Sequence, residues 1–353
     1  MKILQLIDSL RPGGAERMAL NYFLALEREG HHSLLVASRE EGLLAEQVDK
    51  KANYHFLRKL NAFDFRAFYK LKKIISENNI EIIQAHSSSW FWAVLCKITG
   101  SKIKIIWHDH YGNSEYPDNR KSRLLRKFSK YFDGIISVNE KLMKWSREKL
   151  EFNKPIIYLP NFVNEKSRNK KGLQGNSAIK IICVANLRPQ KDHYTLIEAF
   201  REIQDKYNVT LHLFGRDFND QYSGELLNMI ENNSAIFYYG EVNPVVDYLG
   251  DADIGILSSK SEGLPLALLE YGMVGLPVIC TAVGECERVV GGDGKVVPPN
   301  NPVKLSEAIK DYLDNPEEAK LDSLNFHTRI EKDYSEKAVL KKFSIFIQNL
   351  KFE

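Results

Sequence analysis

Two glutamates lie in the stretch of chain best suited to chemistry, residues 253–272, which runs from an apolar segment through a polar loop into a helical pattern. Glu262 stands in the loop and Glu270 about one and a half turns into the helix, so the two carboxylates lie at different depths of one site. Carboxylates accept hydrogen bonds from sugar and ribose hydroxyls, which are uncharged donors. This arrangement predicts a site for a hydroxyl-rich ligand.

The start of the same helix is a predicted anion site. Pro265 is expected at the first helical position, where its missing N–H group is not needed. The backbone N–H groups of Gly263 and Leu264 can face a ligand there, and the helix dipole favours negative charge. A diphosphate fits this description.

Basic residues follow another apolar segment, which ends at residue 185. Arg188 and Lys191 stand in this loop, just before a predicted helix. Their positive charges suit a negatively charged ligand at this strand end. A basic residue at a strand end is also common as a simple solvated side chain.

A glycine pair, Gly13 and Gly14, forms a turn between the first predicted strand and the first helix. Glycines let the backbone come close to a ligand, and the following helix start offers N–H groups to an anion. The dinucleotide fingerprint with three spaced glycines is absent from this turn, and a tight structural turn explains the pair equally well.

Histidines end two neighbouring strand patterns of the first half: His86 one, and His108 and His110 the next. A metal site made of His108, Asp109 and His110 is disfavoured, because adjacent residues of a strand point to opposite faces. We therefore expect no metal site here.

Apolar strand-like segments alternate with helical patterns along the whole chain, which predicts mainly parallel sheets covered by helices. In the second half the predicted helices lie near 192–206, from Pro265 to about Val274, and throughout the tail after Asn300. The predicted strands are 3–7, 33–37, 54–57, 82–85, 103–107, 134–138, 156–159, 179–185, 210–214, 236–239, 254–257 and 278–280. Polar residues 164–178 separate two similar halves and are typical of a linker. Ligands of such sheets collect beyond the carboxyl ends of the strands, so a cleft between the halves is the expected site.

Composition excludes several classes of protein. Of 353 residues, 44% are hydrophobic and 27% charged, which is too apolar for a disordered chain. The apolar runs are strand-sized, and the N-terminus has no signal-peptide pattern, so a membrane-spanning protein is excluded and a cytoplasmic location is expected. The four cysteines show no metal-ligand spacing and are expected to be reduced and buried.

The net charge of +3 combines a basic first half, residues 1–175, with an acidic second half. Much of the basic excess lies in residues 58–73 and 120–130. In 120–130 a helix would place Leu124, Leu125 and Phe128 on one face among cations, which suits an anionic membrane surface or an anionic substrate. A solvated basic helix is the plainer alternative.

Together these features resemble the retaining GT-B glycosyltransferases of family four, whose signature is a glutamate, seven residues and a second glutamate in this setting. The resemblance implies an α/β GT-B fold, in which two Rossmann-like domains with parallel sheets face each other across a cleft. It places an acceptor-binding domain at 1–163, a linker at 164–178, a nucleotide-sugar-binding domain at 179–335, and a C-terminal helix at 336–353 that returns to the first domain.

The resemblance also implies roles for individual residues. Glu270 would bind the ribose and Glu262 the transferred sugar, while Arg188 and Lys191 would stabilise the diphosphate. The family's commoner form carries arginine at the position of Asn186, so the role of Arg188 is less secure than that of Lys191. Either His108 or His110 would lie near the donor sugar and acceptor. The remaining implied nucleotide-sugar contacts are Gly13, Gly14, Asn186, Gly215, Arg216, Gly263, Leu264, Leu266 and Gly284.

The implied activity is transfer of a hexosyl group from a nucleotide-diphospho-sugar, a UDP-sugar in preference to a GDP-sugar, with retention of configuration and no metal cofactor. The acceptor would be a saccharide or lipid-linked saccharide of a bacterial surface polysaccharide such as capsule or lipopolysaccharide. The enzyme would then work at the inner face of the membrane, through peripheral contact of its basic half. The alternatives are a nucleotide-sugar epimerase of the same fold and a non-catalytic sugar-nucleotide-binding subunit. A nucleic-acid partner is not expected, because the basic residues follow no known binding module.

Overall fold

The structure, a computed structural model, describes residues 1–48, 53–61, 64–112, 117–163 and 170–351. The chain forms two compact units, one of Met1–Phe162 with Glu336–Glu353 and one of Val163–Ser335. Of the predicted linker 164–178, residues 164–169 lie outside the described part, and 170–178 belong to the second unit.

The first unit is built on a seven-stranded sheet in which every strand pair is parallel, in the order β3-β2-β1-β4-β5-β6-β7. Parallel neighbours need crossover connections, which explains why helices alternate with strands in the sequence. The strands are β1 Lys2–Ser9, β2 His32–Glu40, β3 Tyr54–Phe56, β4 Ile82–His86, β5 Lys104–Asp109, β6 Gly134–Ser137 and β7 Ile156–Tyr158. All seven lie where the sequence pattern predicts them.

Helices cover both faces of this sheet: α1 Gly14–Arg28, α2 Phe65–Glu77, α3 Trp90–Ile98, α4 Arg123–Ser129 and α5 Glu140–Lys149. The apolar side chains of the strands, such as Leu4 and Trp107, are fully buried beneath them. Burial on both faces is why these strands read as continuous apolar runs and not as an alternation of apolar and polar residues.

The second unit repeats the design with a six-stranded parallel sheet in the order β10-β9-β8-β11-β12-β13. Its strands are β8 Ile179–Val184, β9 Val209–Phe214, β10 Ile236–Tyr238, β11 Ile254–Leu257, β12 Val278–Thr281 and β13 Lys295–Val297. Its helices are α6 His193–Gln204, α7 Gln221–Glu231, α8 Val246–Leu249, α9 Leu266–Val274, α10 Cys286–Val290, α11 Pro302–Asp314 and α12 Pro316–Asp333.

The sequence pattern misses β13 and three helices of this unit, α7, α8 and α10. For α7 a start signal is present, because Asp220 and Ser223 form a reciprocal capping box in which each side chain accepts from the other's backbone N–H. The strand β13 and the helices α8 and α10 have at most five residues each, too few for a periodic pattern.

The last helix, α13 Glu336–Lys351, belongs to the first unit, as predicted. The ring of Phe343 packs against Tyr22 of α1 with centroids 5.0 Å apart. Phe346 and Leu350 lie over Gly134 of β6, where an added Cβ would come within 2.8 Å and 3.1 Å of them. The C-terminal segment therefore completes the core of the first unit.

A smaller prediction, that the cysteines are buried, is confirmed. All four cysteines are buried with free thiols. Asp251 and Asp253, which imitate a metal-binding Asp-x-Asp pattern, instead hold the start of β8: Lys180 donates its ammonium to Asp251 and its backbone N–H to Asp253.

None of the helices in the described ranges combines the length and apolar character that crossing a lipid bilayer requires.

Candidate active site

In the loop between β11 and α9, Glu262 contacts Lys191, and both are predicted site residues. The Nζ of Lys191 lies 2.6 Å from Oε1 of Glu262. Ser259 donates its hydroxyl to the same oxygen, also at 2.6 Å. The carboxylate is only 6% exposed whereas the lysine side chain is 23% exposed, so the ammonium is the part of the pair that an incoming ligand reaches.

The loop after β8 holds Lys191 in place through the loop after β11. Lys191 ends a single 3₁₀ turn, Pro189–Lys191, and the next residue, Asp192, has the left-handed φ of +49°. Ser258 donates its hydroxyl to the backbone carbonyls of Lys191 and Asp192, both at 3.1 Å. The backbone of Lys260 donates to Gln190 at 2.8 Å. Two strand-end loops therefore form one bonded structure.

Glu270 lies in α9 and is 4% exposed, as buried as Glu262. The helix begins at Leu266, and Pro265 is its N-cap with the extended angles φ −74° and ψ 123°. The prediction that Pro265 is the first helical residue is thus wrong by one position. Gly263 and Leu264 are buried in the loop before the cap.

Gly284, in the loop after β12, lies against the backbone that carries Glu262. Its φ is +56°, and a Cβ there would come within 2.2 Å of the carbonyl oxygen of Glu262 and 2.9 Å of that of Gly263. The next residue, Glu285, donates its N–H to the Gly263 carbonyl at 3.1 Å. Only glycine fits here, since both the backbone angle and the space exclude a side chain.

A third loop, after β9, brings the remaining predicted basic residues together. Arg188 and Arg216 both place their guanidinium groups over the ring of Phe218, at 4.2 Å and 4.8 Å from its centroid. Asn186 accepts a hydrogen bond from the Arg216 N–H at 2.9 Å. Gly215 has a φ of +153°, and a Cβ there would lie 2.0 Å from a backbone oxygen. The two arginines therefore share one aromatic support.

Four predicted site residues belong to the first unit: Gly13, Gly14, His108 and His110. Gly13 is the N-cap of α1, and its carbonyl accepts from Arg17 at 2.9 Å. A Cβ at Gly13 would meet the Glu16 carboxylate at 2.4 Å, whereas Gly14 has no described atom close enough to hinder one. The pair thus forms the predicted turn between β1 and α1.

His108 belongs to β5 and His110 follows its last residue, and their ring centroids lie 3.9 Å apart. Asp109 points elsewhere, and both of its carboxylate oxygens accept from Arg120 at 2.8 Å. Burial raises the pKa of Asp109 despite the opposing effect of Arg120. Burial also lowers the pKa of His110 to about 3 and that of His108 well below its usual value, so both rings are neutral at pH 7. Asp109 is therefore separate from the histidines, as the alternation of strand side chains predicts.

A cavity of about 440 Å³ opens beside His110 in the first unit. Apolar and cationic groups line it together, including Trp90, Tyr111, Arg120, Lys121 and Leu124. The sequence analysis singled out the basic segment 120–130 but did not foresee a cavity. The buried carboxylate of Asp109 also lines the cavity and pairs with Arg120. Lys121 and the apolar surface suit an anionic ligand with an apolar part.

Sequence reasoning missed two residues that shape the site in the second unit. Ser259 binds Glu262 and Phe218 supports two arginines. A serine in a polar loop was visible as a hydrogen-bond donor, but nothing in the sequence near Phe218 shows that two distant arginines meet it.

Comparison with known families agrees with this architecture. The family model described as Glycosyl transferases group 1 matches residues 163–323. The model described as Glycosyltransferase Family 4 matches residues 12–167. Together the two matches span nearly the whole chain.

Individual relatives and solved structures are also similar to this chain. The chain is 29% identical to the O-antigen biosynthesis glycosyltransferase WbnH of Escherichia coli, over 87% of this chain and 90% of that protein. It is 26% identical to the N,N'-diacetylbacillosaminyl-diphospho-undecaprenol alpha-1,3-N-acetylgalactosaminyltransferase of Campylobacter jejuni, over 74% and 76%. Anabaena HepE in complex with UDP-glucose superposes with a TM-score of 0.81 at 15% identity, over 99% and 100% of the two chains. With its two parallel-sheet units and these matches, the chain belongs to the GT-B glycosyltransferases of family four.

Proposed function

We propose that this glycosyltransferase moves a hexosyl group from a UDP-sugar to a saccharide or lipid-linked saccharide, with retention of configuration. The observation that carries the proposal is the contact between Lys191 and the buried Glu262 in the loop before α9. The partly exposed ammonium can stabilise the charge of a leaving group. The carboxylate beside it can accept hydrogen bonds from the hydroxyls of the sugar to which that group is attached.

The chemical step breaks the bond between the anomeric carbon and the diphosphate, and the electron pair goes to the phosphate oxygen. Lys191 and Arg188 stabilise the charge that develops there, without a metal ion. The acceptor oxygen attacks the same face, and its proton passes to the departing phosphate oxygen. These cations accelerate the reaction most if the charge that they stabilise develops only in the transition state.

The base and the acceptor are proposed from the relatives. HepE is described as bound to UDP-glucose, and the Campylobacter protein's name specifies a diphospho-undecaprenol acceptor. WbnH is named for O-antigen biosynthesis. A sugar joined to a lipid through a diphosphate would meet both cations and apolar groups in the cavity beside His110.

An acceptor with a lipid part requires contact with a membrane, and we extend the proposal to peripheral binding at its cytoplasmic face. Leu60, Phe65 and Tyr69 are 89%, 70% and 70% exposed, unusually high for large apolar side chains. Segment 58–73, to which they belong, is rich in basic residues. We expect the protein to sediment with anionic vesicles and Phe65→Ser to weaken this binding; equal sedimentation with neutral vesicles would contradict the electrostatic part.

The decisive experiment is a thermal-shift screen of nucleotide-diphospho-sugars with the full chain, followed by analysis of the anomeric configuration of the product. A ligand at 100 times its dissociation constant adds about 2.7 kcal/mol of stability, so a true donor is readily detected. Product formed without acceptor would indicate epimerisation instead.

A matched pair of variants tests the ribose assignment. Glu270→Ala should reduce the shift caused by UDP as well as that caused by the UDP-sugar. Glu287→Ala, which removes an exposed glutamate of α10, should leave both shifts unchanged. Equal responses of the two variants to UDP would show that Glu270 does not bind the ribose.

A further inference from the structure

Strand register brings three histidines to one point in the first unit. His86, the last residue of β4, is paired with His108 of β5. Paired residues of neighbouring parallel strands point to the same face, and so does a residue two positions further along, here His110. One ring nitrogen of each histidine lies within 4.8 Å of those of the other two.

Two of the three histidines are buried, and His110 is partly buried. His86 and His108 are 0% and 1% exposed. Nε2 of His108 has no hydrogen-bond partner among the described residues. A buried polar atom left unpaired is unfavourable, and an atom or ion that accepts its lone pair removes that penalty.

Two glutamines contact the imidazoles of His86 and His108. Gln5 Oε1 accepts from Nε2 of His86 at 2.8 Å, which leaves the Nδ1 lone pair pointing at Nε2 of His110, 3.0 Å away. The amide nitrogen of Gln84 lies 2.9 Å from Nδ1 of His108, and its amide oxygen has no hydrogen-bond partner among the described residues. Metal binding through Nε2 of His108 requires this amide to turn by 180°, so that its oxygen accepts from Nδ1–H and Nε2 keeps its lone pair. Such outer partners are what orient metal-binding histidines.

We propose that His86, His108 and His110 bind a divalent transition-metal ion, zinc by preference, through three neutral imidazole nitrogens. Three nitrogen ligands suit zinc and other divalent transition-metal ions. They disfavour magnesium and calcium, which require oxygen ligands. His86 binds through Nδ1, and His110 through Nε2 once its proton moves to Nδ1. His110 also lines the cavity, so the fourth coordination position is open to water or an anionic oxygen there.

This inference is independent of the proposed donor chemistry, in which Arg188 and Lys191 neutralise the diphosphate. It revises the expectation of no metal site, which considered Asp109 as a ligand and did not include His86. A site of three protein ligands and one open position is the arrangement found where zinc binds a substrate or water.

The test uses the full chain, stripped of metal with a chelator, and titrates it calorimetrically with zinc ions. We expect one saturable site per chain. Cobalt should bind at the same stoichiometry and give the intense visible absorption of tetrahedral coordination. Failure of zinc to bind, or the weak spectrum of octahedral cobalt, overturns the proposal.

Variants assign the site. His86→Gln keeps a polar group of similar size and should weaken zinc binding at least ten-fold, as should His108→Gln. The matched control is His327→Gln, which removes the histidine of a surface pair with Glu331 on α12 and should leave zinc binding unchanged. Circular dichroism of the metal-free variants shows whether they are folded. Loss of zinc binding in the control, or its persistence in folded His86→Gln and His108→Gln, overturns the assignment.

Discussion

At the scale of single residues, the site in the second unit depends on side chains that hold its cations. Lys191 is fixed by Glu262 and by hydrogen bonds to its own backbone, whereas Arg188 is exposed and has Phe218 as its support. A long cation that must meet a developing charge loses less entropy on binding when it is already oriented. Phe218 is therefore a positioning residue in our interpretation.

Replacing Phe218 should lower activity through the arginines. Each cation–π contact contributes about 0.5–1 kcal/mol at an exposed site. Phe218→Leu removes two such contacts, so we expect kcat/KM to fall about five- to thirty-fold, provided that both arginines act on the diphosphate.

Steady-state kinetics with the donor identified by the screen provides the measurement. Phe218→Tyr keeps the ring face and should restore the wild-type value. If the tyrosine variant is as impaired as the leucine variant, the ring acts through packing and not through the arginines.

His193, the first residue of α6, makes the second unit sensitive to acid. Burial lowers the pKa of this histidine to about 4. Between pH 4 and about 6.5 the unfolded chain therefore takes up a proton that the folded chain does not. The contribution of His193 to the free energy of unfolding is fully present above pH 6.5. It falls by about 1.4 kcal/mol per pH unit as the pH drops towards 4.

Hydrogen exchange of the α6 amides at pH 5 and pH 7.5, corrected for intrinsic rates, measures this loss. His193→Gln should make the pH dependence shallower, because glutamine has no proton to gain, while the contribution of His212, whose pKa burial also lowers to about 4, remains. The exposed His32, replaced in the same way, should leave it unchanged. An equally steep dependence in His193→Gln would assign the acid sensitivity to other groups.

At the scale of elements, the strand-end loops of the second unit are tied to one another by backbone contacts. The loop after β12 approaches the loop after β11 at Gly284 so closely that no side chain fits between them. The position of Glu262 therefore depends on a residue more than twenty positions further along the chain.

Gly284→Ala should displace the loop that carries Glu262 and weaken donor binding at least ten-fold. The control is Gly292→Ala, at which φ is also positive, +94°, but an added Cβ meets no described atom within 4 Å. Calorimetric titration with UDP compares the two variants. If both weaken UDP binding alike, backbone strain and not the close approach is responsible.

At the scale of the whole molecule, the chain ends in the unit where it began. The helix α13 adds Phe343, which is fully buried, to the core formed by residues 1–162, and contacts Tyr22 of α1 there. Part of the core of the first unit is thus synthesised after the second unit.

Phe343→Ala should destabilise the first unit by about 3–5 kcal/mol, the usual effect of truncating a buried phenylalanine. Ile345→Ala, on the same helix but 51% exposed, should change stability by less than about 0.5 kcal/mol. Urea unfolding followed by tryptophan fluorescence reports on this unit, because all four tryptophans lie in residues 1–162. Equal midpoints for the two variants would show that α13 is dispensable to the core.

The sequence by itself determined the alternation of strands and helices, the parallel sheets and the loop that carries Glu262, because these features follow from local periodicity and from the residue types at helix starts. Only the tertiary structure decided that Lys191 meets Glu262, that Arg188 and Arg216 share Phe218, and that His86 joins His108 and His110. Such contacts depend on strand order and register, which join segments far apart in the chain. No local pattern of residues specifies them.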